Sequence, residues 1–251
     1  MESIEFFRIL DRVDSTNNYA MAELHAGTAK HGMAWFAKDQ VSGKGQRGKQ
    51  WMSPPGENII MSVVLEPPSF FSARSFLFNA VISNICYAFL NHFIKNDLKI
   101  KWPNDIYIND RKAGGILIEN IYQGITWKWT VVGIGINLNQ MEFPAALKNP
   151  ISLKQVTDEN YDAIELAKEL HDMIIDTISN IAHSSLPEII KTYNTNLYQA
   201  NKKVKLRKQN VVFETTIKGV NEQGQLLTAD KIPRQFEFGE VEWLLHPDNE
   251  I

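Results

Sequence analysis

An α+β fold in two unequal parts is what the sequence predicts, on three observations. Up to about residue 198, short apolar runs of strand character are interspersed with helical stripes. Beyond that point apolar and polar residues alternate in short runs broken by turn residues. Apolar residues make up 44% of the 251, enough for a sizeable core and too many for a disordered chain.

Each element follows from its local pattern. Residues 5–10 predict an opening strand, and Asp14-Ser15-Thr16-Asn17 a turn or helix N-cap. Tyr19, Met21, Ala22 and Leu24 continue as a short helix ending near Gly27. Residues 33–37 predict a strand, 43–49 a glycine-rich basic loop, and 58–65 a buried strand stopped by Pro67-Pro68. From there Leu77, Val81, Ile85, Phe89 and Phe93 fall on one helical stripe. Residues 98–102, 106–108, 115–119 and 126–136 read as strands around tight turns. Residues 161–182 and 186–198 read as helices, with Pro187 suited to a first helical turn. After Asn201 come strands at 204–206, 211–220, 226–229, 235–238 and 241–245, with a turn at 221–224. That close spacing predicts a small β-barrel. The boundary near Tyr198 to Asn201 divides the chain into 1–198 and 199–251.

Composition excludes several classes. The formal charge, 26 − 29 = −3, argues against a dedicated nucleic-acid binder. The longest apolar runs, such as 59–61 and 131–136, fall far short of a membrane span. Met1-Glu2-Ser3-Ile4-Glu5 is acidic and lacks the apolar stretch of a signal peptide. A single cysteine, Cys86, excludes an internal disulfide and fits a reducing compartment, so a cytoplasmic location is expected. Cys86 lies on the helical stripe, which favours a buried thiol over a nucleophile. The six histidines show no paired metal spacing, and the metal ligands stay unknown. Lys202, Lys203, Lys205, Arg207 and Lys208 alternate with Val204 and Leu206, the pattern of a solvated strand face.

Gly43-Lys44-Gly45-Gln46-Arg47-Gly48 satisfies G-x-G-x-x-G and, with Lys49, nearly a phosphate-binding P-loop. Both motifs must run straight into a helix, and Gln50-Trp51-Met52-Ser53-Pro54-Pro55-Gly56 cannot start a long one. What remains is a loop with three cations and freed backbone amides, suited either to closing over an anion or to lying solvated on the surface. A second cluster follows. Lys101-Trp102-Pro103-Asn104-Asp105 and Arg111-Lys112-Ala113-Gly114-Gly115 flank a hairpin that would set Asp105 and Lys112 at neighbouring strand ends. Gly133-Ile134-Gly135-Ile136-Asn137 places glycines on one strand face. Taken singly, these features also describe an ordinary hairpin ion pair and a closely packed strand.

Taken together, Asp14 to Asn17, Gln40 to Gly48, Trp51, Lys101 to Asp105, Arg111 to Gly115 and Gly133 to Asn137 resemble the biotin–protein ligases. The resemblance covers about residues 14–139 and rests on the paired G-[RK]-G-x-R-G and K-W-P-N-D signatures in this order. It implies a mixed β-sheet with helices on one side, of class II synthetase type, and an SH3-like form for the C-terminal barrel. By position, Ser15, Thr16 and Asn17 correspond to the residues that bind the ureido ring of biotin, with Gln40, Lys112 and Gly115 completing the biotin site. A urea needs donors and acceptors, and hydroxyl and amide side chains supply both. The ATP or adenylate set corresponds to Gly43, Lys44, Gly45, Gln46, Arg47, Trp51, Asn104, Lys112 and Asn137. Lys112, Arg47 and Asp105 are the expected catalytic residues. Many members carry arginine where this chain has Gln46, so the charge that holds the adenylate is shifted to Lys44 or Arg47.

The implied reaction has two steps. The biotin carboxylate attacks the α-phosphate of ATP, releasing pyrophosphate; a lysine of a biotin carboxyl carrier domain, from a carboxylase or decarboxylase, then attacks biotinyl-5′-adenylate. No protein nucleophile is needed, and catalysis rests on positioning and charge neutralisation. Magnesium would travel with ATP, with Asp105 or Glu119 as its carboxylates. Some members add a helix-turn-helix repressor, but thirteen residues before Asp14 are too few for one, so a monofunctional enzyme without DNA binding is expected. No membrane partner is expected; a homodimer is compatible with the reading. The alternatives are a lipoate-handling ligase of similar fold and a non-catalytic biotin or nucleotide binder.

Overall fold

A computed structural model describes residues 6–95, 97–147 and 149–244. Glu5 of the expected first strand, Leu245 of the expected last strand, the acidic segment 1–5 and His246 lie outside the described residues. The N-terminal part runs β1 (Phe7–Val13), α1 (Thr16–His25), β2 (Ala34–Gln40), β3 (Gly43–Lys44), β4 (Gln50–Trp51), β5 (Asn58–Leu65) and α2 (Ser75–Leu90). It continues with β6 (Leu98–Lys101), β7 (Asp105–Ile108), β8 (Arg111–Gln123), β9 (Thr126–Asn137), α3 (Leu153–Thr157), α4 (Ala163–Asn180) and α5 (Leu186–Thr195). Five strands follow: β10 (Lys203–Lys208), β11 (Val211–Val220), β12 (Leu226–Ala229), β13 (Pro233–Phe236) and β14 (Glu242–Leu244).

Seven strands form one sheet in the order β1-β2-β5-β9-β8-β7-β6. The β1–β2 pair is parallel and every other pair antiparallel, so the sheet is mixed as expected. Strand alternation explains its two faces. Phe36, Met61, Val63, Val132 and Ile134 point to one face, into the main core with Leu77, Phe78 and Val81 of α2 and Leu166, Leu170 and Ile174 of α4. Trp35, Val64 and Val131 point to the other, where they meet Ala20 of α1. The long helices therefore share one side, and among the described helices only the short α1 lies across the opposite face. That opposite face carries the candidate site. β5 is central and buried at all eight positions, which is why Ile59-Ile60-Met61-Ser62-Val63-Val64 reads as an almost unbroken apolar run.

Of the predicted stripe, Leu77, Val81, Ile85 and Phe89 are buried in α2, while Phe93 is half-buried beyond the helix end. Cys86 is fully buried, and burial pushes its thiol up to about 12, consistent with an inert core residue. One helix escapes the sequence reading: α3 begins at a capping box in which Ser152 and Gln155 satisfy each other's backbone amides.

The last five strands form an antiparallel sheet in the order β13-β12-β11-β10-β14. Its basic strand is laced with acidic neighbours: Lys203 pairs with Glu214 at 2.5 Å, Arg207 with Glu242 at 3.3 Å and Lys208 with Glu240 at 3.1 Å. This sheet docks on the turn after β6. The Trp102 indole N–H donates to the Gly224 carbonyl at 2.8 Å, and its ring stands edge-on to Phe238 at 5.9 Å. The Asn194 side chain bonds both the N–H and the C=O of Val220. No described helix is long and apolar enough to cross a membrane.

Candidate active site

The floor of the site is a row of small residues across β5, β9 and β8. Ser62 lies opposite Gly133, which lies opposite Leu117; two residues along, Gly135 lies opposite Gly115. The glycines are structural requirements rather than flexibility. A Cβ on Gly133 would run into the Asn17 amide, and one on Gly135 would run into the Trp51 indole. A Cβ on Gly115 would sit 3.2 Å from Lys112 Nζ and 3.3 Å from Trp51. The sheet is hollowed so that Asn17 and Trp51 can lie on it side by side.

One end is polar, buried and internally bonded. Ser15, the N-cap of α1, is 1% exposed, and Thr16 and Asn17 open that helix. The Gln40 side-chain oxygen accepts from the Thr16 backbone N–H at 2.9 Å. The hydroxyls of Ser62 and Thr16 are 2.8 Å apart, and the Ser62 hydroxyl donates to Asn17 Oδ1 at 2.5 Å. Asn17 Nδ2 donates to Glu119 Oε2 at 2.8 Å. Here the structure brings together residues 15–17 and Gln40, as the sequence predicts, and adds two it missed in this role. Ser62 interrupts a buried apolar run, and a polar residue there needs a partner, which was the available signal. Glu119 entered the sequence reading only as a metal carboxylate; in this structure it accepts from Asn17 and lies 3.8 Å from Lys44.

The other end carries charge. Lys112 Nζ pairs with Asp105 at 2.7 Å, but not as neighbouring strand ends: Asp105 lies opposite Gly115 and Lys112 opposite Tyr107, so the lysine side chain reaches back along the hairpin to meet the carboxylate. Lys112 lies 5.8 Å from the Trp51 ring centroid, with both ion-pair side chains about a third exposed. The Trp51 indole N–H is buried and has no protein partner. A cleft of about 200 Å³ opens between Gln40, Gly43, Trp51 and Ser53. Beneath, Lys101 donates to the Tyr107 hydroxyl at 2.9 Å and lies over the rings of Tyr107 and Trp243. Its burial lowers the amine to about 8, with the Asp105 charge opposing that shift.

The glycine loop forms a two-strand ribbon, β3 with β4, closed by a single helical turn. Arg47 sits in the left-handed region at φ +56. Its guanidinium does not meet Lys112: it donates to the Gly239 carbonyl at 3.2 Å and lies over the Phe238 ring. Gly239 is itself shaped for this, since a Cβ there would strike the guanidinium. Gln46 is half-buried on the loop, and Gly45 lies against the Lys49 backbone. Two other predicted residues are already engaged. Asn104 donates to the Ile116 carbonyl, pinning the turn to β8. Asn137 donates to the Ile151 carbonyl at 3.0 Å and the Lys112 carbonyl at 3.4 Å, so it fixes the backbone that carries Lys112. Among the described residues no group of three or more His, Cys, Asp or Glu could hold a metal.

The arrangement places an internally bonded polar cluster at one end of a row of side chains on this sheet face and a cation at the other. The chain is also similar to known proteins. The sequence profile of the biotin/lipoate A/B protein ligase family matches residues 9–137. The bifunctional ligase/repressor BirA of Escherichia coli strain K12 is 31% identical over 170 residues, which are 64% of this chain and 51% of that protein. The biotin–[acetyl-CoA-carboxylase] ligase of Paracoccus denitrificans is 37% identical over 132 residues, 52% of this chain and 53% of that protein. The chain thus spans about half the length of these relatives. In fold it is similar to a biotin protein ligase from Aquifex aeolicus solved with biotin and ATP, at a TM-score of 0.79 and 24% identity, covering 96% of this chain and 99% of that one.

Proposed function

Because the chain belongs to the biotin/lipoate A/B protein ligase family, we propose that it is an ATP-dependent biotin–protein ligase. The observation that carries this reading is the row of side chains on one sheet face: a polar cluster of Asn17, Ser62 and Gln40, a glycine floor, and Lys112 at the far end. The ureido ring of biotin would take the pocket and its carboxylate would lie toward Lys112. A dithiolane would bury the same hydroxyls and amides without using them, which disfavours lipoate.

In the first step the biotin carboxylate attacks the α-phosphorus of ATP and pyrophosphate leaves. Lys112 would neutralise charge on the attacking carboxylate and the α-phosphate, exchanging its bond to Asp105 for them. Trp51 would pack near the adenylate, its buried indole N–H available to a ligand acceptor. Lys44 and Arg47 would close from the loop, Arg47 leaving the Gly239 carbonyl to do so. Magnesium would arrive with ATP as part of the substrate. In the second step the lysine of a carrier domain attacks the mixed anhydride and AMP leaves. Loop closure would keep water from that anhydride in between.

The same reading assigns residues 1–198 to catalysis and 199–251 to an SH3-like module that touches the loop through Arg47. It makes the acceptor a biotin carboxyl carrier domain of a carboxylase or decarboxylase. It places the chain in the cytoplasm with no DNA partner and leaves a homodimer open to sedimentation measurement. The test is the intact mass of a carrier domain incubated with the protein, biotin and ATP. A gain of one biotinyl group, dependent on both small molecules, supports the proposal; an unmodified carrier together with no biotin-dependent ATP–pyrophosphate exchange refutes it.

A further inference from the structure

The pocket contains one charge that the proposed chemistry does not use. Glu119 lies on β8 two residues beyond Leu117, on the face that carries Gly115. Its side chain is 30% exposed. One oxygen accepts from Asn17 Nδ2 at 2.8 Å, and the other is 3.8 Å from Lys44 Nζ.

A primary amide has a donor end and an acceptor end, whereas a carboxylate only accepts. Asn17 is 3% exposed and is packed over Gly133, so its side chain has two orientations to choose between, not a continuum. In the observed one, the nitrogen faces Glu119 and the oxygen faces the Ser62 hydroxyl. Turned over, the amide oxygen would face a carboxylate oxygen. Ser62 cannot make the choice, because a hydroxyl both gives and accepts. The charge on Glu119 therefore decides it. With Asn17 fixed, the Ser62 proton is drawn to Asn17 Oδ1, the shorter of its two contacts at 2.5 Å against 2.8 Å to Thr16 Oγ1, while the Thr16 hydroxyl donates to Gln40 Oε1 at 3.3 Å. The donor and acceptor pattern offered to a ring is thus set from Glu119 inward. The tie to Lys44 is weaker, being a long pair between partly exposed groups.

Resting on the ligase reading above, we propose that Glu119 is a positioning residue that locks the Asn17 amide in one orientation and thereby sets the pocket's preference for a cyclic urea.

The test compares Glu119→Ala, Glu119→Gln, Asn17→Ala and the Asn17→Ala/Glu119→Ala double variant in biotin-dependent ATP–pyrophosphate exchange. Glu119→Ala should raise KM for biotin about tenfold, the effect of one charge-assisted hydrogen bond, and leave KM for ATP and kcat within about twofold. Glu119→Gln should recover little of that loss, because its amide can meet either end of the Asn17 amide and so cannot choose between the two orientations. Adding Glu119→Ala to Asn17→Ala should cost nothing more. Independent effects of the two residues, full rescue by the glutamine, or an equal rise in KM for ATP would each overturn the proposal. A wild type without biotin-dependent exchange would refute the ligase reading instead. The Asn17 side-chain amide protons, assigned by their loss in Asn17→Ala, then decide on the free protein. Slow exchange in the wild type that turns fast in Glu119→Ala supports the lock, and unchanged exchange overturns it.

Discussion

The two ends of the proposed binding site, one for the ring and one for the phosphates, are built on opposite plans. At the ring end, Thr16, Asn17, Gln40 and Ser62 are all buried and bonded to one another before any ligand arrives. At the phosphate end, Lys44, Arg47 and Lys49 are exposed, and two of the three are tied to groups a nucleotide could replace: Glu119 and the Gly239 carbonyl. A rigid pocket pays for selectivity in advance, since a wrong ring leaves its polar groups unmatched. Cations on a loop suit a ligand that changes charge and departs in pieces, first as pyrophosphate and later as AMP. Recognition is therefore preformed at one end and assembled at the other.

Four experiments would break or sharpen that contrast. The largest effect is expected for Lys112→Ala, because Lys112 is fixed on the sheet, paired with Asp105 beside Trp51, rather than carried on the loop. Adenylate formation should fall about 10²–10³-fold with the fold intact, read by pyrophosphate exchange alongside circular dichroism. Normal exchange by a folded variant would remove Lys112 from the mechanism. Next comes Gly133→Ala, which puts a methyl group into the space of the Asn17 amide. KM for biotin should rise about 10–100-fold, the range of overpacking penalties, while KM for ATP stays put. Equal changes in both would show that the two ends are not separable.

Ser62→Ala removes the partner of Asn17 Oδ1 without adding bulk. KM for biotin should rise about tenfold, as one buried acceptor loses its donor. The smallest effects belong to the loop. Arg47→Ala should speed dissociation of biotinyl-adenylate several-fold, since a guanidinium–phosphate bond is roughly twice as strong as a neutral one. Gln46→Ala should change that rate by less than about twofold, and Gln46→Arg should slow release. If Gln46→Ala proved worse than Arg47→Ala, the clamp would lie at Gln46.

Local features were legible where local chemistry decides them. The strands at 58–65, 211–220 and 226–229 fall where their apolar runs place them, because burial and turn residues bound each one. The pairing of Asp105 with Lys112 was legible from a tight hairpin. The Ser152-Leu153-Lys154-Gln155 cap was equally local and was overlooked. β8 is longer than its apolar stretch, since pairing with β9 carries Asn120 to Gln123 along as strand. Asn104 and Asn137 were read as ligand contacts; their bonds to Ile116, Ile151 and Lys112 carbonyls depend on strand register that no local pattern encodes. The destination of Arg47 was the least legible feature. Its partner lies 192 residues away in sequence, and nothing near either residue announces the other.

That separation has a bearing on how the protein is made. At about 5–20 residues per second of synthesis, Gly239 leaves the ribosome roughly 10–40 s after Arg47. The ring pocket depends on Gln40, Ser62, Glu119 and Gly133, all within the first 133 residues, and can assemble during that interval. The resting place of the loop arginine cannot. On the proposed reading, a nascent chain would hold a complete ring pocket well before it held a docked loop, and biotin could reach it as a folding partner before it served as a substrate.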